Sequence, residues 1–142
     1  MRASITLPSD HAALASLQTF ASEFAQRGSL SRDERARLSI ILEELFTNSV
    51  THGYRPEGGS ITVALALSAS LIEIDFEDDG PPFDPLSVDG PNLDAPGDER
   101  AIGGLGLHLV RSLVDEAHYH REGGRNCLHL VRRIKSVSGA GD

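Results

Sequence analysis

The sequence has one cysteine, no tryptophan and one lysine. Cys127, alone, can form neither an internal disulfide nor a thiolate metal site. No apolar run approaches the ~18 residues of a membrane helix. Asp10 and His11 interrupt the N-terminus before a signal-peptide core could form. A cytoplasmic protein with no membrane partner is the expectation. The lysine census excludes more. Lys135 is the single lysine and the other twelve cations are arginines. A P-loop needs a lysine after its glycine-rich turn, and a eukaryotic-type protein kinase needs one on an early strand. Neither exists. Thirteen basic against 21 acidic side chains give a net charge of −8, the wrong sign for a phosphate-backbone binder, so no direct nucleic-acid partner is expected.

What is present is an ordinary globular chain: 142 residues, 39% hydrophobic and 24% charged. That is one domain, expected over residues 1–135, with a frayed tail at 136–142. A short strand is expected over 3–7. A helix capped by Ser9 or Asp10 should run to about Gln26, with Leu14, Leu17, Phe20 and Phe24 inward and Gly28 ending it. A second helix, capped by Ser31, carries Leu38, Ile41, Leu42, Leu45 and Phe46 toward the core and ends near His52-Gly53. Strands follow at 60–67 and 70–77. Residues 80–103 hold five of the seven prolines and four glycines, the composition of a lid or binding loop. A helix over 104–116 and a hairpin, 117–122 and 125–134 around Gly123-Gly124, close the chain. This order predicts an α+β two-layer sandwich: a mixed, mostly antiparallel sheet with three helices on one face.

Three constellations carry chemistry. Glu44, Asn48 and His52 recur every four residues, along one line of the second helix. A carboxylate there can take a proton from a hydroxyl, and an amide oxygen is a neutral Mg²⁺ ligand; the same pattern also makes a solvated helix face. Asp78-Asp79-Gly80-Pro81-Pro82-Phe83 follows the most apolar strand. Asp78 can accept the exocyclic amine of adenine, Gly80 admits the ring and Phe83 offers an apolar wall; a plain turn would read alike. Gly103-Gly104-Leu105-Gly106-Leu107 opens a helix, where amides can face an anion or merely form a hinge. It is not a Rossmann fingerprint, because a Pro/Asp-rich loop precedes it.

The order of the three is more specific than any one of them. Glu-x-x-x-Asn on a helix, Asp-x-Gly after a strand, a long loop, then Gly-x-Gly-Leu at a helix start resembles the GHKL (histidine kinase/gyrase-type) ATPase superfamily. The chain is most similar there to the small switch-protein serine kinases that double as anti-sigma factors. The resemblance implies a Bergerat-type ATP-binding fold with a lid at about 80–103, and ATP and Mg²⁺ as cofactors. It implies Glu44 as catalytic base, Asn48 as Mg²⁺ ligand, Asp78 with Gly80 at the adenine, and Gly104, Leu105 and Gly106 at the phosphates. His52, Gly53, Phe83, Gly103, Leu107 and Asn126 complete the expected nucleotide site; Asn126 falls where the family often has threonine. The implied partners are a small anti-anti-sigma-type protein substrate, a sigma factor, and a second copy of the chain meeting through the N-terminal strand. Pro82 replaces the second glycine of the family's Asp-x-Gly-x-Gly, and the lid bears five carboxylates against Arg100. The alternative is therefore an ATP-dependent regulatory binding module with little or no kinase activity. Outside these motifs, His118 should face His129 and Cys127 should face His120 across the hairpin. Surface histidines and an inert strand thiol are the expected reading, against zinc ligation or a nucleophile.

Overall fold

A computed structural model of the protein describes residues 1–53, 58–87 and 104–135. Gly103, most of the lid and the tail lie outside the described residues, as does Pro56 of the turn before the second strand. The elements are β1 (Arg2–Pro8), α1 (Leu14–Arg27), α2 (Arg32–His52), β2 (Ser60–Leu67), β3 (Leu71–Asp78), α3 (Gly104–Leu113), β4 (Glu116–Glu122) and β5 (Arg125–Arg133).

Alternation builds the sheet. Ile61, Val63, Leu65 and Leu67 of β2 are buried, as are Ile72, Ile74 and Phe76 of β3, while Glu73, Asp75 and Glu77 take the opposite face. The strand order is β1-β2-β3-β5-β4, and every neighbouring pair is antiparallel, so the sheet has no mixed element. The β4–β5 turn is Gly123-Gly124, at φ 59° and 75°. Only glycine adopts that pair of left-handed conformations readily, and it fixes the hairpin register. His118 faces His129 and His120 faces Cys127, as expected.

α1, α2 and α3 cover one face of this sheet. Leu38, Ile41, Leu42, Leu45, Phe46 and Val50 of α2 lie in the core with Leu17 and Phe24 of α1; Leu14 and Phe20 pack at its margin. Burying each large side chain contributes about 1.5–3 kcal/mol. Ser31 caps α2 by accepting the Glu34 amide at 3.2 Å.

Three boundaries differ from the sequence reading. Asp10 accepts the Ala12 amide and caps a short 3₁₀ turn, His11–Ala13, before α1 begins. After α1 the left-handed residue is Ser29 (φ 55°), not Gly28. Gly28 is needed for space instead, since a Cβ there would collide with Leu67 Cδ2. α3 stops at Leu113, because Asp115 already donates its amide to Val131 O and accepts the Arg133 amide. Arg132 donates to Leu113 O and makes a two-pronged pair with Glu34, at 2.7 and 2.9 Å. One side chain of β5 thus ties the start of α2 to the end of α3.

Candidate functional site

The C-terminal half of α2 and the end of β3 form one edge of the cavity. Ser49, buried on α2, donates its hydroxyl to Asp78 Oδ2 at 2.9 Å. Asp78 Oδ1 accepts the Gly80 amide and the Asn126 side-chain amide, both at 2.9 Å. Backbone meets backbone beside it: a Cβ on Gly80 would lie 3.3 Å from Gly53 Cα, and one on Gly53 would sit 2.8 Å from Ser49 O. Glycine at both positions lets the end of α2 touch the first turn after β3.

The two adjacent aspartates have different tasks. Asp79 accepts the Ser60 amide at 2.9 Å and holds the start of β2. Asp78 faces the cavity.

Asn126 is the hub of the opposite wall. It is 6% exposed. Its Oδ1 accepts from Tyr119 OH (2.6 Å), Arg121 (3.1 Å) and the Phe83 amide (3.1 Å). Its Nδ2 donates to Asp78 and to Pro81 O, the latter at 2.9 Å. Arg121 reaches on to Gly80 O at 2.7 Å. The hairpin therefore brackets residues 80–83, the root of the long loop. Every polar atom of Asn126 is already engaged, so it orients its neighbours.

The cavity between these walls is lined by Leu45, Asn48, Ser49, His52 and Gly53 of the α2 side, Phe76 and Asp78 of β3, Pro81, Phe83 and Pro85 after it, and Tyr119, Asn126 and Leu128 of the hairpin. The room left inside is about 30 Å³, enough for about two waters. The His52 and Phe83 rings, both lining it, stack with centroids 4.4 Å apart and planes 10° from parallel.

Asn48 is half-buried and its side chain makes no hydrogen bond among the described residues. Its amide oxygen is free for a ligand. Glu44 lies one turn back, about 6 Å along the axis, also half-buried and also without a hydrogen bond or ion pair among the described residues. Its carboxylate lies against α3, where a Cβ on Gly106 would collide with Glu44 Oε2. The Glu44 end of the line thus meets the start of α3, and the Asn48 end opens into the cavity. Leu107 is buried beneath α3 in the core, not in the cavity. Gly104 and Leu105 fall in α3's first turn, and Gly103 lies outside the described residues.

Sequence reasoning missed Ser49, Tyr119 and Arg121. Ser49 was visible as a polar residue inside the apolar stripe of α2. The hairpin register that set His118 against His129 also sets Tyr119 opposite Leu128 and Arg121 opposite Asn126.

On the open face of the sheet, His129 pairs with Asp75 at 2.7 Å and approaches Glu73 at 3.6 Å. No cluster of three metal-ligating side chains occurs among the described residues. Burial, with Glu77 and Glu122 nearby, pushes the Cys127 thiol up, away from the reactive thiolate. Among the described residues no helix is long and apolar enough to cross a membrane.

Residues 7–132 match the family described as "Histidine kinase-like ATPase domain". The chain is 31% identical over 108 residues to the serine-protein kinase RsbW of Bacillus cereus (strain G9842), covering 73% of this chain and 68% of that one. It is 32% identical over 108 residues to the RsbW of Listeria monocytogenes serovar 1/2a, covering 72% and 69%. Among solved structures, the crystal structure of the RsbU and RsbW domains of Rv1364c from Mycobacterium tuberculosis aligns with a TM-score of 0.65 at 19% identity. That alignment spans 97% of this chain and about a third (35%) of the other, and it speaks for the fold alone. The chain belongs to the histidine kinase-like ATPase domain family of the GHKL superfamily, in its RsbW-type serine-protein kinase branch.

Proposed function

We propose that the protein binds ATP with Mg²⁺ in the cavity between α2 and the hairpin, and transfers the γ-phosphoryl group to a serine or threonine hydroxyl of a small protein partner. The observation that carries this reading is the meeting of separate motifs. Asp78 and a free Asn48 line one cavity, and a free Glu44 stands one turn away against the first turn of α3.

Each role follows from chemistry. Asp78 has three donors on it and room for a fourth, the exocyclic amine of adenine; a base with a carbonyl there would meet like partial charge. His52, Gly53 and Gly80 border the base. The amides of residues 104–106, at the start of α3, hold the phosphates. Asn48 offers one neutral oxygen, which suits Mg²⁺, an ion that keeps its waters and phosphate ligands. Mg²⁺, when bound, supplies charge neutralisation at the phosphates. Glu44 accepts the proton of the incoming hydroxyl as its oxygen attacks the γ-phosphorus and the bond to ADP breaks in line.

The relatives named serine-protein kinase RsbW support the kinase assignment in general. The finer parts of the proposal are an anti-anti-sigma-type substrate, a sigma factor held in a nucleotide-dependent way, a lid spanning about 80–103, a cytoplasmic location, and a homodimer formed through β1, an edge strand of the sheet.

The test is incubation of the protein with γ-labelled ATP and the partner captured from extract in ATP·Mg²⁺, followed by phosphosite mapping. Transfer by the wild type, and its loss with retained nucleotide binding in Glu44→Ala, is the expected result. Nucleotide binding without transfer in the wild type would favour the binding-module reading, to which the Pro82 departure already points.

A further inference from the structure

We propose that Phe83 is a stand-in for the nucleotide base: its ring covers the face of His52 in the ligand-free protein, and ATP must displace it to bind. Phe83 then weakens nucleotide affinity instead of contributing to it. The inference rests on the nucleotide reading above and adds to it a residue that sets affinity.

Two flat rings 4.4 Å apart and 10° from parallel make a stacked pair, the geometry a planar base would make with the same imidazole. His52 follows Asn48 by one turn of α2, and both line the cavity that Asp78 faces. With the two rings closed on each other, the face of His52 on which a base would stack is already taken by Phe83.

The ring is free to leave without disturbing the chain that carries it. The Phe83 main chain is held separately, its amide donating to Asn126 Oδ1 at 3.1 Å. The next turn closes on itself, with Asp84 accepting the Leu86 amide and the Ser87 hydroxyl, both at 2.8 Å. Rotation about the Phe83 side-chain bonds therefore uncovers His52 while residues 80–87 stay in place. The ring is half-buried at the margin of the core, so turning out exchanges part of its packing for solvent.

Calorimetric titration of ATP·Mg²⁺ into the wild type and Phe83→Ala tests this. The variant should bind roughly three- to ten-fold more tightly, the equivalent of losing one aromatic stack that competes with the ligand. A second readout needs no ligand: the His52 ring protons, shielded by the stack, should move downfield in ligand-free Phe83→Ala. Weaker or unchanged ATP binding in the variant, with binding intact in the wild type, overturns the displacement proposal alone. Failure of both proteins to take up ATP overturns the nucleotide reading and this inference with it.

Discussion

Gly106→Ala should separate the chemistry from the fold. A methyl group at residue 106 would overlap the Glu44 carboxylate. The overlapped atom is the far end of a flexible side chain, so Glu44 turns away and the backbone stays. A displacement of about 1 Å in a catalytic group costs roughly a hundredfold in rate, which is about 2.7 kcal/mol of barrier. Stability moves the other way. Alanine is favoured over glycine inside a helix by about 0.5–1 kcal/mol, which in a domain of this size raises the melting temperature by about 2–3 °C. The assay is transfer from γ-labelled ATP to the captured partner, beside thermal melts and ATP titration of the same variant. A hundredfold drop in transfer, little change in ATP affinity and equal or higher stability is the expected outcome. Full transfer activity in Gly106→Ala would refute the placement of Glu44 as base.

Three further outcomes follow from the same geometry. The two-pronged bond from Arg132, with Arg37 also near, holds the Glu34 carboxyl below its usual value of 4.5. A depressed carboxylate pKa contributes stability that is full above the unfolded value and fades as pH falls through the folded one. Urea titrations should show Glu34→Gln less stable than wild type by about 1–2 kcal/mol at neutral pH, with the gap closing below pH ~4; a gap that persists in acid would contradict this. Asn126→Ala removes a buried hub and should cost about 2–3 kcal/mol in denaturant melts, with ATP affinity falling because residues 80–83 lose their bracket; unchanged stability would show the hub to be idle. Gly53→Ala puts a Cβ 2.8 Å from the Ser49 carbonyl. Backbone must then shift at the point where α2 meets Gly80, so ATP titration should show weaker binding even where the variant stays folded.

Much of the fold was legible because its signals are local and periodic. The β2 sequence SITVALAL and the α2 stripe from Leu38 to Phe46 state which face goes inward without help from the rest of the chain. Glycines 123 and 124 dictated the hairpin and thereby its register. The misread points are tertiary. Gly28 looked like the stop of α1 by its conformation, yet what a Cβ there would run into is the side chain of Leu67, at the far end of β2. α3 ended early because β5 claims residue 115. At the site, the spacing of Glu44, Asn48 and His52 announced a functional line. The sequence could not say that Glu44 turns to α3 while Asn48 and His52 turn to the cavity. It did single out Asp78 over Asp79 through the Asp-x-Gly spacing, and Asp78 lies in the same register of β3 as the buried Ile72, Ile74 and Phe76. Asn126 was anticipated as a ligand contact; its saturated hydrogen bonds make it a scaffold for Asp78 and Phe83.

The central claim is that Asp78 recognises the amine of a purine in this cavity. Calorimetric titration of wild type and Asp78→Asn with ATP·Mg²⁺, and with the triphosphate of purine riboside, which lacks that amine, tests it most directly. The wild type should prefer ATP by about tenfold or more, and Asp78→Asn should bind ATP more weakly and lose that preference. Equal affinity of the wild type for the two nucleotides, or an undiminished preference in Asp78→Asn, would contradict the account.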